Sequence, residues 1–450
     1  MKLINKLRFP HPLVLLFSFV LISVMLSHLL PAGEYLRQLD SVTGKMIVVP
    51  GSYHHVLATP VSLFDAFVAI PKGLSAASDV IFLIFLVGGA FTVVNETGAL
   101  KRSISSLIKA LNGKDLLVIP FISLFFALGG IVENMQEEII ALIPVLLLLT
   151  NRLGFPAMMA VAMSLGSAML GSAFSPINPF QVQIAQKIAE LPLGSGGLFR
   201  LAFLSLVLLL WIAFLMRYAH NHKTEVIIQS DDELETMIWQ DKIIMLLTLI
   251  EFSFVVWGMT SLGWDFDQLS ASFFIYGIIV GLFSGMNLTS VANNYIKGFQ
   301  FMAYAAILVG FARAIFVVLE QGHIIDTIVF NLVQSLQHLS SISSAIGMVF
   351  VQTLIHFPVP SVSGQAVLTL PVLIPTSDLL EIPRQVTVLA YQYGAGLCDF
   401  ISPTNGALMA ILAIVKISYK DWIKFIFPAY LVMVGIGIFS MLVAIEIGIQ

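Results

Sequence analysis

The sequence predicts an all-α polytopic membrane protein made of two related halves, and three observations predict it. Hydrophobic residues make up 58% of the 450 and charged residues 11%, with a mean hydropathy of +0.95. A soluble chain of this length cannot hide so much apolar surface. Apolar runs of about 20 residues, the length that crosses ~30 Å of hydrocarbon, recur from one end to the other. Finally, a shift of 227 residues lays the second half of the chain on the first.

The elements follow in order. Lys2, Lys6 and Arg8 precede an apolar run over Pro12–Leu30. Ala32 and Gly33 after it resemble a signal-peptide cleavage site, but its length and the spans behind it favour a retained helix. Residues 34–60 are mixed and polar, 61–78 reads as amphipathic, and Asp79–Gly98 spans. A basic loop follows, with Lys101, Arg102, Lys109 and Lys114. Two shorter runs, 116–131 and 139–150, flank the polar knot Glu133-Asn134-Met135-Gln136-Glu137-Glu138, which predicts a re-entrant hairpin over 116–150. A broken span covers 157–190, interrupted at Ser175-Pro176-Ile177-Asn178-Pro179, and 201–219 spans again. His220–Asp241 carries Asp231, Asp232, Glu233 and Glu235 and reads as a solvated linker. Beyond it lie spans at 242–263, 268–287 and 299–320, and a second hairpin over 341–376. A second broken span, 384–417, is interrupted at Ser402-Pro403-Thr404-Asn405-Gly406, and the last span is 423–447. The halves are therefore 1–223 and 242–450, joined by a linker over 224–241.

The repeat is colinear without gaps. Ile143-Pro144-Val145-Leu146 falls on Leu370-Pro371-Val372-Leu373, Pro156 on Pro383, Ser175-Pro176 on Ser402-Pro403 and Asn178 on Asn405. Lys and Arg at the span ends cluster on one side, at 2–8, 101–114, Arg152, Arg217 with Lys223, Lys297, and Lys416 with Lys420. That side is the cytoplasm, and it holds the N-terminus. The two hairpins then enter from opposite sides, which is the inverted-repeat organisation of many secondary transporters.

The repeated elements explain what such a chain can do. A Ser-Pro-x-Asn break frees backbone amides and carbonyls, because proline donates no hydrogen bond and blocks the helix ladder. Free backbone groups at membrane depth are tolerated only where protein, water or a solute satisfies them. Helix ends at a hairpin tip offer amides to anions and carbonyls to cations. Tips and breaks together make polar sites, so Asn134, Ser361, Ser363 and Gly364 at the tips and Ser175, Asn178, Thr404 and Asn405 at the breaks are candidate substrate residues. Asn178 and Asn405 can each complete a cation shell, and both are expected to be needed for transport. Glu137 and Glu138 stand at the first tip, with Glu133 one turn before them and no Lys or Arg in the knot. Carboxylates at this depth repel one another unless cations or protons compensate, which favours a cationic substrate. The alternative is that Glu137 and Glu138 cap the returning helix. Arg313, in mid-span, either grips a substrate carboxylate or pairs with Asp399 or Glu96. Asp399 can ligate a cation, hold a proton or neutralise Arg313. His356 reads as tip packing or a proton relay, and the five tryptophans with Phe357 as lipid-facing or interfacial.

Several function classes are excluded. The net charge of −4 does not point to nucleic acid, and the single Cys398 allows neither an internal disulfide nor a multi-cysteine metal site. The sequence holds no His-Glu-x-x-His, no Gly-x-Ser-x-Gly and no phosphate-binding glycine loop, so neither an enzyme nor an ATP-driven pump is expected. A channel is the competing class. The unequal tips, Glu-rich in one half and Ser/Gly-rich in the other, favour a carrier for a chemically asymmetric substrate.

These same residues carry a family resemblance. Met135-Gln136-Glu137-Glu138, the loop Gly171–Phe180, the tip Pro360–Ala366 and the loop Asp399–Gly406 resemble the YfcC-type family. Its members are described as basic amino-acid antiporters related to anaerobic C4-dicarboxylate carriers of the ion transporter superfamily. The resemblance implies a scaffold domain, a transport domain holding the two hairpins, elevator-type alternating access and a homodimer. It also implies sodium-type sites where Asn134 meets Ser175 and Asn178, and where Ser361 meets Ser402 and Asn405, with Asp399 as a further ligand. The expectation is therefore a bacterial inner-membrane carrier of a small carboxylate-bearing metabolite, favoured as a basic amino acid. A C4-dicarboxylate or other organic anion is the alternative. No cofactor is expected beyond Na+ or H+ as coupling ion, and the partners are the small-molecule substrate, the lipid bilayer and a second copy.

Overall fold

A computed structural model describes residues 11–41, 46–111, 114–224 and 236–449. The basic residues at 2–8, the acidic run at 231–235 and most of the 224–241 linker lie outside the described residues, as does the side chain of Glu133. The fold is helical, and among the described residues seven helices are long and apolar enough to cross a membrane. On α10 (Gly197–His222), large apolar residues such as Leu198 and Leu209 face outward, as a lipid-facing surface requires.

The chain opens with α1 (Pro12–Leu29), then four short strands, β1 (Gly33–Glu34), β2 (Arg37–Leu39), β3 (Met46–Val48) and β4 (His54–His55). They form two antiparallel pairs, with Gly33 opposite His55 and Arg37 opposite Val48. The polar 34–60 segment is thus not helical, which is the one departure from an all-α reading. Its backbone groups pair locally, and it is tied down by Tyr35 N–H on Asp326 Oδ2 and by the Arg37–Asp326 ion pair, both 2.8 Å.

α2 (Leu63–Ala76), capped by Ser62, leads into α3 (Ser78–Glu96). Both lie along α13 (Leu288–Gln321), whose 34 residues extend about 50 Å. Gly73 sits against Gly310 and Ala314, while Gly89 sits against Gly298, so α2–α3 runs antiparallel to α13. The approach is close enough that a Cβ on Gly298 would lie 2.6 Å from the Gly89 Cα. α1 packs on α13 through Leu16, Val20, Leu308 and Ile315. α11 (Trp239–Leu262) and α12 (Phe266–Phe283) complete this group, with α12 against α3.

The second group holds the hairpins and breaks. α5 (Val118–Glu133) and α6 (Glu137–Arg152) form the first hairpin, and α15 (Ser341–His356) and α16 (Val362–Leu379) the second. The first broken helix runs through α7 (Met158–Val161), a π-type turn over Ala162–Gly166 and α8 (Ser167–Ala173). After the break it resumes with a second such turn over Pro179–Gln183 and α9 (Ile184–Ile188). The second comprises α17 (Arg384–Cys398) and α18 (Gly406–Ile414), with α19 (Tyr419–Glu446) after it. α5 meets α8 without side chains between them: a Cβ on Gly130 would lie 1.9 Å from the Ala168 carbonyl oxygen, and one on Gly171 2.2 Å from that of Ala127.

Three expectations change. The basic 101–114 segment is a helix, α4 (Ala99–Leu111), because its apolar residues fall on one face between the charges. α14 (Ile325–Gln334) occupies a stretch with no expected element. Two of the five tryptophans are core residues rather than lipid-facing ones. Trp211 donates to Ser167 Oγ at 3.0 Å and Trp422 to the Phe400 carbonyl at 2.7 Å, each satisfying a buried indole N–H.

Candidate functional site

The first break folds onto the first hairpin through its own polar groups. Asn178 begins the resumed helix, its Oδ1 accepting the N–H groups of Phe180 and Gln181 at 2.9 Å. Its Nδ2 donates to the Gly130 carbonyl at 2.8 Å and faces Ser172 Oγ at 3.4 Å. Ser175 Oγ donates to the Ile131 carbonyl at 2.9 Å and accepts from Asn178 N–H at 2.8 Å. Asn134, held at φ 55° at the end of α5, accepts from Ser172 Oγ and, at 3.4 Å, from Gln181 Nε2. The freed Ser175 carbonyl takes Gln392 Nε2 at 2.8 Å. Gln392 is oriented by Arg200, whose Nε donates to its Oε1 at 3.0 Å, and a guanidinium can only donate. Arg200 is 1% exposed and also donates to Gln385 Oε1 and the Ser195 carbonyl.

The second break repeats part of this pattern 227 residues on. Asn405 Oδ1 accepts from Leu408 N–H as Asn178 Oδ1 does from Gln181 N–H, both close to 2.8–2.9 Å. Asn405 Nδ2 donates to Asp399 Oδ1 at 2.7 Å, where Asn178 Nδ2 faces Ser172. Thr404 Oγ1 donates to the Phe357 carbonyl at 2.7 Å and meets Ser402 Oγ at 2.6 Å, tying the break to the second tip. Ser361 caps α16 by accepting Gly364 N–H.

Asp399 joins more than its own half. It is 2% exposed, with His356 Nε2 2.9 Å from Oδ1 and Gln136 Nε2 donating to Oδ2 at 2.9 Å. His356 is wholly buried, and its Nδ1 lies 2.7 Å from Gln365 Oε1. It is a packed, hydrogen-bonded member of the site. Gln136 comes from the first tip, and its Oε1 also accepts from Asn405 Nδ2 at 2.9 Å.

A cavity of about 640 Å3 opens among these elements. Of the residues singled out by sequence, Asn134, Glu137, Glu138, Arg313, Ser361, Ser363, Asp399, Thr404 and Asn405 line it. Ser175, Asn178 and Ser402 do not: they are buried behind it, bonded within the chain. Gly364 lines a separate cavity of about 570 Å3, which shares Arg313 and Ser361 with the first. Gln136, Gln181, Gln392 and Arg200 were missed as site residues, since their partners lie far away in sequence. Phe180, Trp264 and Asp265 also reach the main cavity.

The charges are distributed unevenly. Glu138 reaches back to accept Gln136 N–H at 3.2 Å, so the capping reading holds for that residue, and it still faces the cavity. Arg313 pairs with neither Asp399 nor Glu96. The former is taken by Gln136, Asn405 and His356, and the latter lies 3.8 Å from Lys297. The Arg313 guanidinium instead stacks over Phe316 at 4.8 Å, and its buried Nε has no hydrogen-bond partner. Among the described residues no group of three or more His, Cys, Asp or Glu side chains could hold a metal ion. The oxygens gathered at the breaks are hydroxyl, amide and carbonyl, the set that suits a hard cation.

Comparison with known proteins places the whole chain. The model of the family described as "DcuC: C4-dicarboxylate anaerobic carrier" matches residues 9–446. The "Putative basic amino acid antiporter YfcC" of Escherichia coli (strain K12) is 29% identical over 465 residues, covering 92% of each chain. An uncharacterized protein of Haemophilus influenzae is 30% identical over 427 residues, covering 91% of this chain and 83% of its own. Among solved structures, the YdaH transporter of Alcanivorax borkumensis aligns with a TM-score of 0.48 at 18% identity, over 98% of this chain and 99% of its own. MtrF of Neisseria gonorrhoeae, from a class of antimetabolite efflux pumps, aligns with a TM-score of 0.46 at 15% identity, over 99% and 97%. The chain is a multi-pass membrane transporter that belongs to the DcuC family of C4-dicarboxylate anaerobic carriers and is similar to YfcC-like proteins.

Proposed function

We propose that this transporter exchanges basic amino acids across the bacterial inner membrane. The observation that carries the reading is the main cavity, where Glu137, Glu138 and Asp399 share the lining with one guanidinium, Arg313. Carboxylates gathered at membrane depth call for cationic compensation. Arginine or ornithine brings two positive groups and one carboxylate, and Arg313 has an unpartnered buried N–H to receive that carboxylate. The printed name of the Escherichia coli relative supports the same substrate class.

The reading includes alternating access by two inverted repeats. The hairpins and breaks move as a transport domain, elevator-fashion, against a scaffold built around α13 in a homodimer, with the N-terminus in the cytoplasm. The bonds that recur 227 residues apart support a duplicated transport unit. Na+ or H+ is the coupling ion, held by break and tip oxygens. A C4-dicarboxylate is the second reading, favoured by the family description and by Arg313. It requires two or more cations to enter first.

Counterflow into proteoliposomes tests the choice. Vesicles loaded with unlabelled arginine should accumulate labelled arginine and ornithine, with succinate and fumarate failing to compete. Accumulation of labelled succinate that arginine never inhibits would overturn the basic amino-acid reading in favour of the dicarboxylate.

A further inference from the structure

Gln136 is an uncharged side chain placed where a substrate's cationic group has to go. Its amide orientation follows from a backbone group. Leu408 N–H occupies Asn405 Oδ1, so the Asn405 amide nitrogen is the end that faces Asp399 Oδ1 at 2.7 Å and Gln136 Oε1 at 2.9 Å. The other end of Gln136, its NH2, therefore points at Asp399 Oδ2, 2.9 Å away. With His356 Nε2 on Oδ1, the Asp399 carboxylate is surrounded by groups of this chain on both oxygens. Gln136 stands on the first hairpin and Asp399 and Asn405 in the second break, so one amide spans the two halves. It is 4% exposed, and the bonds lie in a low dielectric where they are strong.

We infer that Gln136 is the positioning residue that makes transport an exchange: its amide bridges the two halves whenever no substrate cation sits on Asp399. A substrate ammonium or guanidinium reaching Asp399 Oδ2 replaces the Gln136 NH2, and the bridge between first tip and second break opens. When substrate leaves, the amide returns and the halves lock again. A carrier without substrate is held, and only a loaded one can change its access. The inference rests on the carrier reading above and adds the reason net flux is suppressed.

The test measures two fluxes from the same vesicles. Proteoliposomes carrying wild type, Gln136→Met or Gln136→Asn are loaded with labelled arginine, and a parallel set with labelled succinate. Efflux is followed into buffer with and without the same unlabelled solute outside. Met keeps the length without the bonds, and Asn keeps an amide one methylene short. In the wild type, efflux requires external solute. In Gln136→Met the ratio of uncoupled efflux to exchange should rise about tenfold, the scale of one charge-assisted hydrogen bond, and in Gln136→Asn by less. A folding or packing defect lowers both fluxes and leaves their ratio alone, so an unchanged ratio in both variants overturns the bridge. If the wild type exchanges succinate and not arginine, the substrate assignment fails while the ratio still decides the bridge. A wild type that exchanges neither solute overturns both.

Discussion

The two breaks share a sequence signature and differ in what satisfies them. At the first, Asn178, Ser175 and Asn134 bond to one another, to the hairpin carbonyls of Gly130 and Ile131, and to Gln181. The remaining Ser175 carbonyl is closed by Gln392, which Arg200 orients from behind. At the second, Ser172 is replaced by Asp399, 227 residues on. A hydroxyl that closes a joint becomes a carboxylate that recruits His356, Gln136 and Asn405 and borders the cavity. The same device is thus used once as a joint and once as a working site. Duplication supplied the backbone chemistry, and one exchanged side chain divided the roles.

The largest expected effect comes from removing that difference. Asp399→Asn keeps the shape of the second break but takes away the charge its partners surround. Transport should fall on the order of 100-fold, while the purified protein stays folded in a thermal-melt assay. Transport within a few-fold of wild type would mean the second break is as structural as the first.

Next comes the acidic tip. Glu137→Gln with Glu138→Gln should reduce arginine exchange by tenfold or more, each lost charge contributing about 1–2 kcal/mol, without creating succinate or fumarate transport. Unaltered arginine exchange in the double variant would reduce both residues to the capping role that Glu138 performs. A smaller effect belongs to Arg313, whose guanidinium is free for a carboxylate. Arg313→Gln should raise the KM for arginine roughly tenfold, and Arg313→Lys should recover part of it. A KM unmoved in both would place the substrate carboxylate elsewhere.

The smallest functional effect should be at the first break, and here the structure separates two residues the sequence treats as equivalent. Asn178→Ala loses a helix cap and a buried donor, so the protein should lose about 2 kcal/mol of stability. Transport per folded molecule should change less than in Asn405→Ala, whose amide also serves Asp399 and Gln136. Equal and complete loss in two well-folded variants would restore the symmetric, two-site view.

How far the sequence could be read follows the same division. The breaks and hairpins were legible because proline, serine and asparagine interrupt apolar runs, and such interruptions are visible locally. Position 313 stood out because an arginine in a span is rare. Gln136, Gln392 and Arg200 carried no local signal: a glutamine in a polar knot or an arginine near a span end is ordinary. Their meaning comes from partners 263, 217 and 192 residues away. α4 and α14 escaped for a different reason, being short and amphipathic amid long apolar spans. The strands at 33–55 escaped because two or three residues each leave no readable alternation.

The sign of the substrate charge is the central claim, and calorimetric titration of the purified protein measures it most directly. Arginine and ornithine should bind the wild type saturably, and the double Glu137→Gln, Glu138→Gln variant should bind them at least tenfold more weakly. Succinate should give no binding heat in either protein. Saturable succinate binding by the wild type, strengthened when the two glutamates are neutralised and with no heat from arginine, would contradict the account.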